Sequence, residues 1–342
     1  MPILPHPDAL IGALASVGHR LAGPTENTIG DVGAYEGRSL AELWPAPKRV
    51  PQVRIRRRWR VPGLVSEDLS FPSEYAPLEA RFAERYDRDY RSNHTVWAKR
   101  LRPRGARGRP RLLYYHGYMQ PETPIEEIAI VAQLAVRLGM EVIQIQPPYH
   151  GRRSPPAERV PGELFWTADV VRSIEALRQA MLDARSMLSW MLAERPGPVG
   201  VAGLSLGGVL SAGLTCLDER FAFSVPLIAH KDLEALVVDA PVLGRMRREL
   251  KAFGWGRAEF GACMRMIGWQ DLESRIPPER IRLFAASRDG FFDPAVVRAM
   301  HERWGAPRID WYPTSHMGFV PRFPEVVAKM RAFVDECGVT ET

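Results

Sequence analysis

Val199-Gly200-Val201-Ala202-Gly203-Leu204-Ser205-Leu206-Gly207-Gly208 is an apolar strand pattern that runs through a glycine-flanked serine into a small-residue helix pattern, Val209 to Leu217. A strand that becomes a helix within so few residues strains the serine backbone. Glycine two positions to either side gives that turn room. The serine hydroxyl then projects over the helix N-terminus, where backbone N–H groups and the helix dipole favour a developing negative charge. G-x-S-x-G also arises by chance, and a glycine-flanked loop serine is the ordinary alternative. The strand-to-helix setting argues for a nucleophile at Ser205.

Serine is a weak nucleophile and needs a base within hydrogen-bond reach, which in turn needs a carboxylate to fix its tautomer. Two late apolar runs supply both. Arg282-Leu283-Phe284-Ala285-Ala286 leads to Ser287-Arg288-Asp289-Gly290-Phe291-Phe292-Asp293-Pro294, and Ile309-Asp310-Trp311-Tyr312 leads to Pro313-Thr314-Ser315-His316-Met317-Gly318-Phe319. Asp289 and His316 therefore fall at the carboxyl ends of two strands, where sheets of this kind place their ligand sites. Taken singly, an aspartate in a glycine-containing turn is a turn former and a lone histidine is structural. The order Ser205, Asp289, His316 matches nucleophile, acid and base. Asp293 competes for the acid role, although its place before Pro294 suits helix initiation, and Asp232 is a weaker competitor.

Outward from this centre the chain alternates strand and helix patterns. Leu112-Leu113-Tyr114-Tyr115 is a buried-strand run leading into His116-Gly117-Tyr118-Met119. A helix is expected from Thr123, with Pro124 at its first position, Glu126 completing a capping box and Gly139 ending it. Val142-Ile143-Gln144-Ile145 is a strand, Ala168 to Glu194 carries a helical repeat, and a further strand lies near Phe223 to Ile228. Such alternation predicts a mostly parallel sheet covered on both faces. Upstream, Val53 to Arg102 looks strand-rich, with Asn93 to Ala98 alternating as an antiparallel strand near a sheet edge. Residues 1 to about 50, with scattered prolines and glycines and one short helix pattern near Ala9 to Leu21, read as an extension packed on the main domain.

The set His116-Gly117, Gly203 to Gly208, Asp289 and His316-Met317-Gly318-Phe319 resembles the α/β-hydrolase superfamily over roughly residues 95 to 338. Tyr115-His116-Gly117, Pro147 to Gly151 and Pro226 to His230 are similar to a poorly characterised α/β-hydrolase-domain group. The resemblance implies an α/β-hydrolase fold: a mostly parallel central sheet flanked by helices, with an N-terminal extension (1–52), a catalytic domain (53–230 and 276–342) and a helical cap insertion (231–275). It implies ester, thioester or amide hydrolysis without choosing among them. An oxyanion hole would combine the N–H of Leu206 with one at Tyr118 or Met119. The insertion carries many apolar residues, among them Leu243, Met246, Trp255, Phe260 and Trp269. These either line an acyl or alkyl pocket or merely pack the inserted helices.

Composition narrows the partners. The chain has 342 residues, 46% of them hydrophobic, enough for a sizeable core. Its net charge of +6 owes much to two arginine clusters, Arg54, Arg56, Arg57, Arg58 and Arg60, then Arg100, Arg102, Arg104, Arg107 and Arg109. They could attract an anionic partner, but neither sits in a nucleic-acid-binding motif, and runs of this length are ordinarily solvated strand or loop faces. Cys216, Cys263 and Cys337 are odd in number and widely spaced, which suits a reducing compartment. His116 reads as a loop-structuring residue, and His150 and His230 lack metal-ligand spacing, so no metal and no cofactor is expected. No signal peptide or membrane span is read, which predicts a cytoplasmic protein acting on a small ester or acyl substrate. A homodimer is favoured only by how common such assemblies are. Carboxylesterase is the first expectation; a peptidase, thioesterase or acyltransferase using the same residues, or a non-catalytic protein of the same fold, are the rivals.

Overall fold

The structure, a computed structural model, describes Asp8 and residues 25–106, 108–120 and 127–338. Its centre is a nine-stranded sheet: β1 (Arg54–Val61), β2 (Leu64–Pro72), β3 (Thr95–Pro103), β4 (Arg111–Tyr115), β5 (Glu141–Ile145), β6 (Val199–Leu204), β7 (Phe223–Leu227), β8 (Arg282–Ala286) and β9 (Arg308–Tyr312). They lie in the order β1-β2-β3-β5-β4-β6-β7-β8-β9. The first three pair antiparallel with each other, β3 pairs antiparallel with β5, and every pairing from β5 to β9 is parallel. The mostly parallel sheet expected from the sequence is therefore present. The antiparallel strand anticipated near Asn93 to Ala98 is β3, third from the edge.

The chain steps from β4 to β5 on one side and then to β6 on the other. A crevice opens at such a reversal, beyond the strands' carboxyl ends. The parallel strands are apolar on both faces because helices cover both: β4, β5, β6, β7 and β8 are buried at every position.

The stretch read as strand-rich also holds a helix, α1 (Ala80–Asp89), packed through Phe82 and Tyr86. The segment expected to be helical before Gly139 has a π-helical turn at Glu127–Ala132 followed by α2 (Gln133–Leu138), and Gly139 ends it with φ +65°. The capping box proposed at Thr123 and Glu126, and the helix pattern near Ala9 to Leu21, lie outside the described residues.

Helix α3 (Val170–Glu194) is buried almost all round, so its polar residues must find partners inside the protein. They do so largely by fastening the N-terminal region. Thr28 donates to Asp169 at 2.9 Å, while Tyr35, Tyr75 and the Leu78 N–H donate to Glu175 at 2.9, 2.6 and 2.8 Å. Thr28 and Tyr35 are thus bound to Asp169 and Glu175 at the start of α3.

The residues between 231 and 275 form α5 (Leu233–Asp239), α6 (Gly244–Ala252) and α7 (Arg257–Met266), which follow α4 (Leu206–Leu217) in the chain. Leu243, Met246, Leu250, Phe260, Met264 and Trp269 join the same core as α3. A cavity of about 280 Å³ lies between these helices and the body, with Val242, Leu243, Arg245 and Met246 on one side and Tyr90, Leu164, Trp166 and Arg172 on the other.

The arginine clusters divide. The one on β1 is exposed, as a solvated edge strand should be. The second is partly internal: Arg100 is buried between Glu67 and Glu194, both at 2.7 Å. Its charge serves the fold, which the solvated-face reading did not foresee. Among the described residues no helix is long and apolar enough to cross a membrane.

Candidate active site

Ser205 stands between β6 and α4 with φ +58° and ψ −115°, a conformation that a side-chain-bearing residue holds only when its surroundings enforce it. The enforcement is visible. The Ser205 N–H donates to the Leu227 carbonyl at 3.1 Å, and α4 packs so closely on the sheet that a Cβ on Gly203 would come within 2.1 Å of the Gly207 carbonyl oxygen. A Cβ on Gly207 would meet the Tyr115 carbonyl oxygen at 2.1 Å. The glycines flanking Ser205 are therefore required by backbone approach on both sides of the turn.

The loops after β8 and β9 continue the sheet's pairing past the strand ends. Ser287 N–H donates to the Tyr312 carbonyl at 2.8 Å and Arg288 N–H to the Thr314 carbonyl at 3.0 Å. This brings Asp289 to His316. His316 Nδ1 lies 2.8 Å from Asp289 Oδ2, and His316 Nε2 lies 2.9 Å from Ser205 Oγ. In the tautomer with the ring proton on Nδ1, Asp289 Oδ2 accepts that proton's hydrogen bond and Nε2 presents its lone pair to the serine hydroxyl. Asp289 Oδ1 accepts the N–H groups of Phe291 and Phe292 at 2.8 and 2.9 Å, which turns Oδ2 toward the imidazole. The two phenyl rings flank His316 at centroid distances of 4.7 and 5.5 Å. Asp289 and His316 are buried; Ser205 is half-buried.

The competing aspartates have other work. Asp293 caps helix α8 (Pro294–Arg303) by accepting the Ala295 N–H at 2.7 Å. Asp232 caps α5 through the Ala235 N–H at 3.0 Å and accepts Gln270 at 2.9 Å. Neither bonds to the imidazole.

The loop after β4 borders the serine: a Cβ on Gly117 would lie 3.8 Å from Ser205 Cβ. Gly117 N–H is taken by Gln120 Oε1 at 2.9 Å, whereas the N–H groups of Tyr118, Met119 and Leu206 meet no protein acceptor among the described residues. Met119 adopts φ +53°, a turn that re-aims its peptide. His116 donates through Nδ1 to the Gly117 carbonyl at 2.8 Å, the loop-structuring role expected of it.

Three further groups near the site are tuned by burial. Burial pushes His150 down to about 3, helped by His116 at a ring distance of 5.2 Å, and His230 down to about 4, so both stay neutral at pH 7. Burial pushes the Glu158 carboxyl up to about 8. His230 rests on the far side of the aromatic wall, 5.1 Å from the Phe292 ring, and neither of its ring nitrogens meets a protein partner among the described residues. Among the described residues no three His, Cys, Asp or Glu side chains are grouped to hold a metal ion.

Two parts of this site were missed in the sequence. Phe291 and Phe292 could have been suspected only from an aromatic pair directly after Asp289. Asp8, which accepts N–H groups from the loops on which Asp289 and His316 sit, lies in Pro7-Asp8-Ala9, where nothing marks it.

The parallel sheet, the serine elbow and the histidine and aspartate at the ends of β9 and β8 define an α/β-hydrolase fold. Within it, residues 127–238, a stretch that includes Ser205, match the family described as alpha/beta hydrolase domain containing 18. An uncharacterized protein of Mycobacterium tuberculosis, Rv2627c, is 28% identical over 275 residues, covering 78% of this chain and 65% of that protein. The chain thus matches just under two thirds of that curated relative's length. Among solved structures, an acetyl xylan esterase from Paenibacillus sp. R4 superposes with a TM-score of 0.61 at 15% identity, covering 94% of this chain and 98% of that one. Acetyl xylan esterase 1 from Thermoanaerobacterium sp. JW/SL YS485 gives 0.57 at 16%, covering 91% and 99%. A cold-adapted esterase from an Arctic intertidal metagenomic library gives 0.53 at 16%, covering 84% and 98%. At these identities the likeness is one of fold.

Proposed function

We propose that the chain is a serine hydrolase that cleaves carboxylic esters through an acyl-enzyme. The observation that carries this reading is the unbroken relay from Ser205 Oγ to His316 Nε2 at 2.9 Å and from His316 Nδ1 to Asp289 Oδ2 at 2.8 Å, ending at a strained elbow.

In the first half-reaction Ser205 Oγ forms a bond to the ester carbonyl carbon while its proton passes to His316 Nε2. Asp289 stabilises the imidazolium and keeps its orientation. The carbonyl oxygen becomes an oxyanion, for which the N–H of Leu206 and that of Tyr118 or Met119 are the proposed donors. Collapse breaks the bond to the alkoxy oxygen, which leaves as the alcohol with the proton from His316. Water then repeats the sequence on the acyl-serine, giving the acid and restoring Ser205. No step calls on a metal or cofactor.

The preference for an ester over an amide or thioester follows the solved esterases of similar fold. The helices of residues 231–275 are proposed as a cap from their place in the chain after β7. The cavity they share with the body is lined by Leu164, Trp166, Leu243 and Met246 together with the charged Glu163, Arg172, Arg245 and Glu249, and its lining includes none of Ser205, Asp289 and His316. The test is hydrolysis of p-nitrophenyl acetate and butyrate by the wild type and by Ser205→Ala at matched folding. Loss of the serine should lower turnover on the order of 10⁶-fold. Equal activity in both proteins would place the chemistry elsewhere.

A further inference from the structure

One carboxylate beside the Ser205–His316–Asp289 relay comes from the other end of the chain. Asp8 is 1% exposed. Its Oδ2 accepts the N–H of Gly290 and the N–H of His316, each at 2.9 Å, and its Oδ1 accepts the N–H of Met317 at 3.0 Å. Gly290 is the residue after Asp289. A single side chain therefore joins the loop that holds the acid to the loop that holds the base, from 282 and 308 positions away. The fit is close, because a Cβ on Gly290 would come within 3.1 Å of Asp8 Oδ2.

Helix capping accounts for only part of this. His316 and Met317 open the turn Met317–Arg322, so Asp8 does cap it, but Gly290 belongs to a different loop. Burial pushes the Asp8 carboxyl up, and the three N–H bonds together with the nearby imidazole outweigh burial and hold it below its usual value. It is therefore ionised at neutral pH.

We propose that Asp8 is a positioning residue for the hydrolysis, clamping the Asp289 and His316 loops in the register that keeps the imidazole between carboxylate and serine; this rests on the reading given under Proposed function. Two physical consequences follow from the geometry. The clamp fixes how far the two loops can slide past one another, and a misplacement of about 1 Å in such a relay can cost on the order of 10²-fold in rate. The clamp also places negative charge at the backbone of His316, where it favours the imidazolium formed when Ser205 gives up its proton. The charged group facing the ring itself is Asp289; Phe291 and Phe292 supply its apolar walls and Ser205 its fourth side.

Asp8→Asn keeps the shape but can satisfy fewer of the three N–H groups, since its amide nitrogen is a donor facing donors. Asp8→Glu keeps the charge with a different reach. Both are made in the full chain and compared with the wild type and Ser205→Ala. Titration with a fluorophosphonate counts competent serines, so turnover of p-nitrophenyl butyrate is expressed per titrated site, and the low-field proton resonance of the imidazole N–H held by Asp289 is followed by NMR. Asp8→Asn is expected to lower kcat per titrated site by roughly 10- to 100-fold with KM changed less than about 2-fold, and to broaden or abolish the low-field resonance. Asp8→Glu should fall between Asp8→Asn and the wild type, which decides the matter if Asp8→Asn does not fold. If the variants lose titratable sites while the remaining sites turn over at the wild-type rate with the resonance intact, Asp8 only stabilises the fold and the proposal is overturned. A wild type that neither titrates nor turns over overturns both this proposal and the hydrolase reading.

Discussion

His316 Nε2 stands 2.9 Å from Ser205 Oγ although 111 positions separate the two residues. The contact depends on two independent turns at the carboxyl edge of one sheet: the strained elbow after β6 and the loop after β9. Each is fixed by backbone hydrogen bonds, so the side chains meet without a local sequence contact between them.

The acid should be separable from its neighbour by mutation. Asp289→Asn keeps the geometry but leaves the wrong imidazole tautomer free to form, and kcat for ester hydrolysis is expected to fall about 10⁴-fold. Asp293→Asn, at a helix cap, should leave kcat within about 2-fold, since asparagine caps nearly as well as aspartate. Comparable losses in both variants would mean that the acid has been wrongly assigned.

The elbow makes a prediction about stability. Gly207→Ala would drive a Cβ to 2.1 Å from the Tyr115 carbonyl oxygen, and backbone cannot yield as a side-chain tip can. The variant is expected to lose about 3 kcal/mol or to fail to fold, at the upper end of overpacking costs. Gly30→Ala meets nothing within 4 Å and should change stability by less than about 0.5 kcal/mol. Chemical denaturation of the two variants checks both values.

Much of this arrangement was legible because it follows from short-range rules. Gly203 and Gly207 are dictated by the backbone contacts of one turn, and Asp289 and His316 follow apolar strands directly. Helix α1 was hidden because its sequence is mostly charged and its buried face rests on little more than Phe82 and Tyr86. Arg100 looked like part of a solvated run because its partners, Glu67 and Glu194, are remote in sequence. Asp8 is the extreme case: its partners are backbone N–H groups, which carry no sequence signature, at the opposite end of the chain.

Acid sensitivity should come from the buried histidines. His230 and His150, held near about 4 and about 3, titrate near 6.5 when unfolded, so the unfolded chain binds more protons below that pH. The stability gained by keeping them neutral is complete above pH ~6.5 and is lost as the pH falls toward about 4 and about 3, each contributing up to ~1.4 kcal/mol per pH unit. Glu158 acts in the opposite sense, since its carboxyl, raised to about 8, favours the fold most below pH ~4.5 and progressively less as the pH rises toward about 8. His230→Phe removes one acid-labile group and should show a smaller drop in melting temperature between pH 7 and pH 5 than the wild type. An equal drop would contradict the assignment of His230 as a neutral buried imidazole.

The most direct test of the central claim is to treat the protein with a fluorophosphonate and locate the adduct by peptide mass spectrometry, with His316→Ala as the control. An activated serine predicts one phosphonyl group per chain, on the peptide containing Ser205, with labelling slowed at least about 10³-fold in His316→Ala. No adduct, or an adduct on another residue at a rate indifferent to His316, would contradict the account.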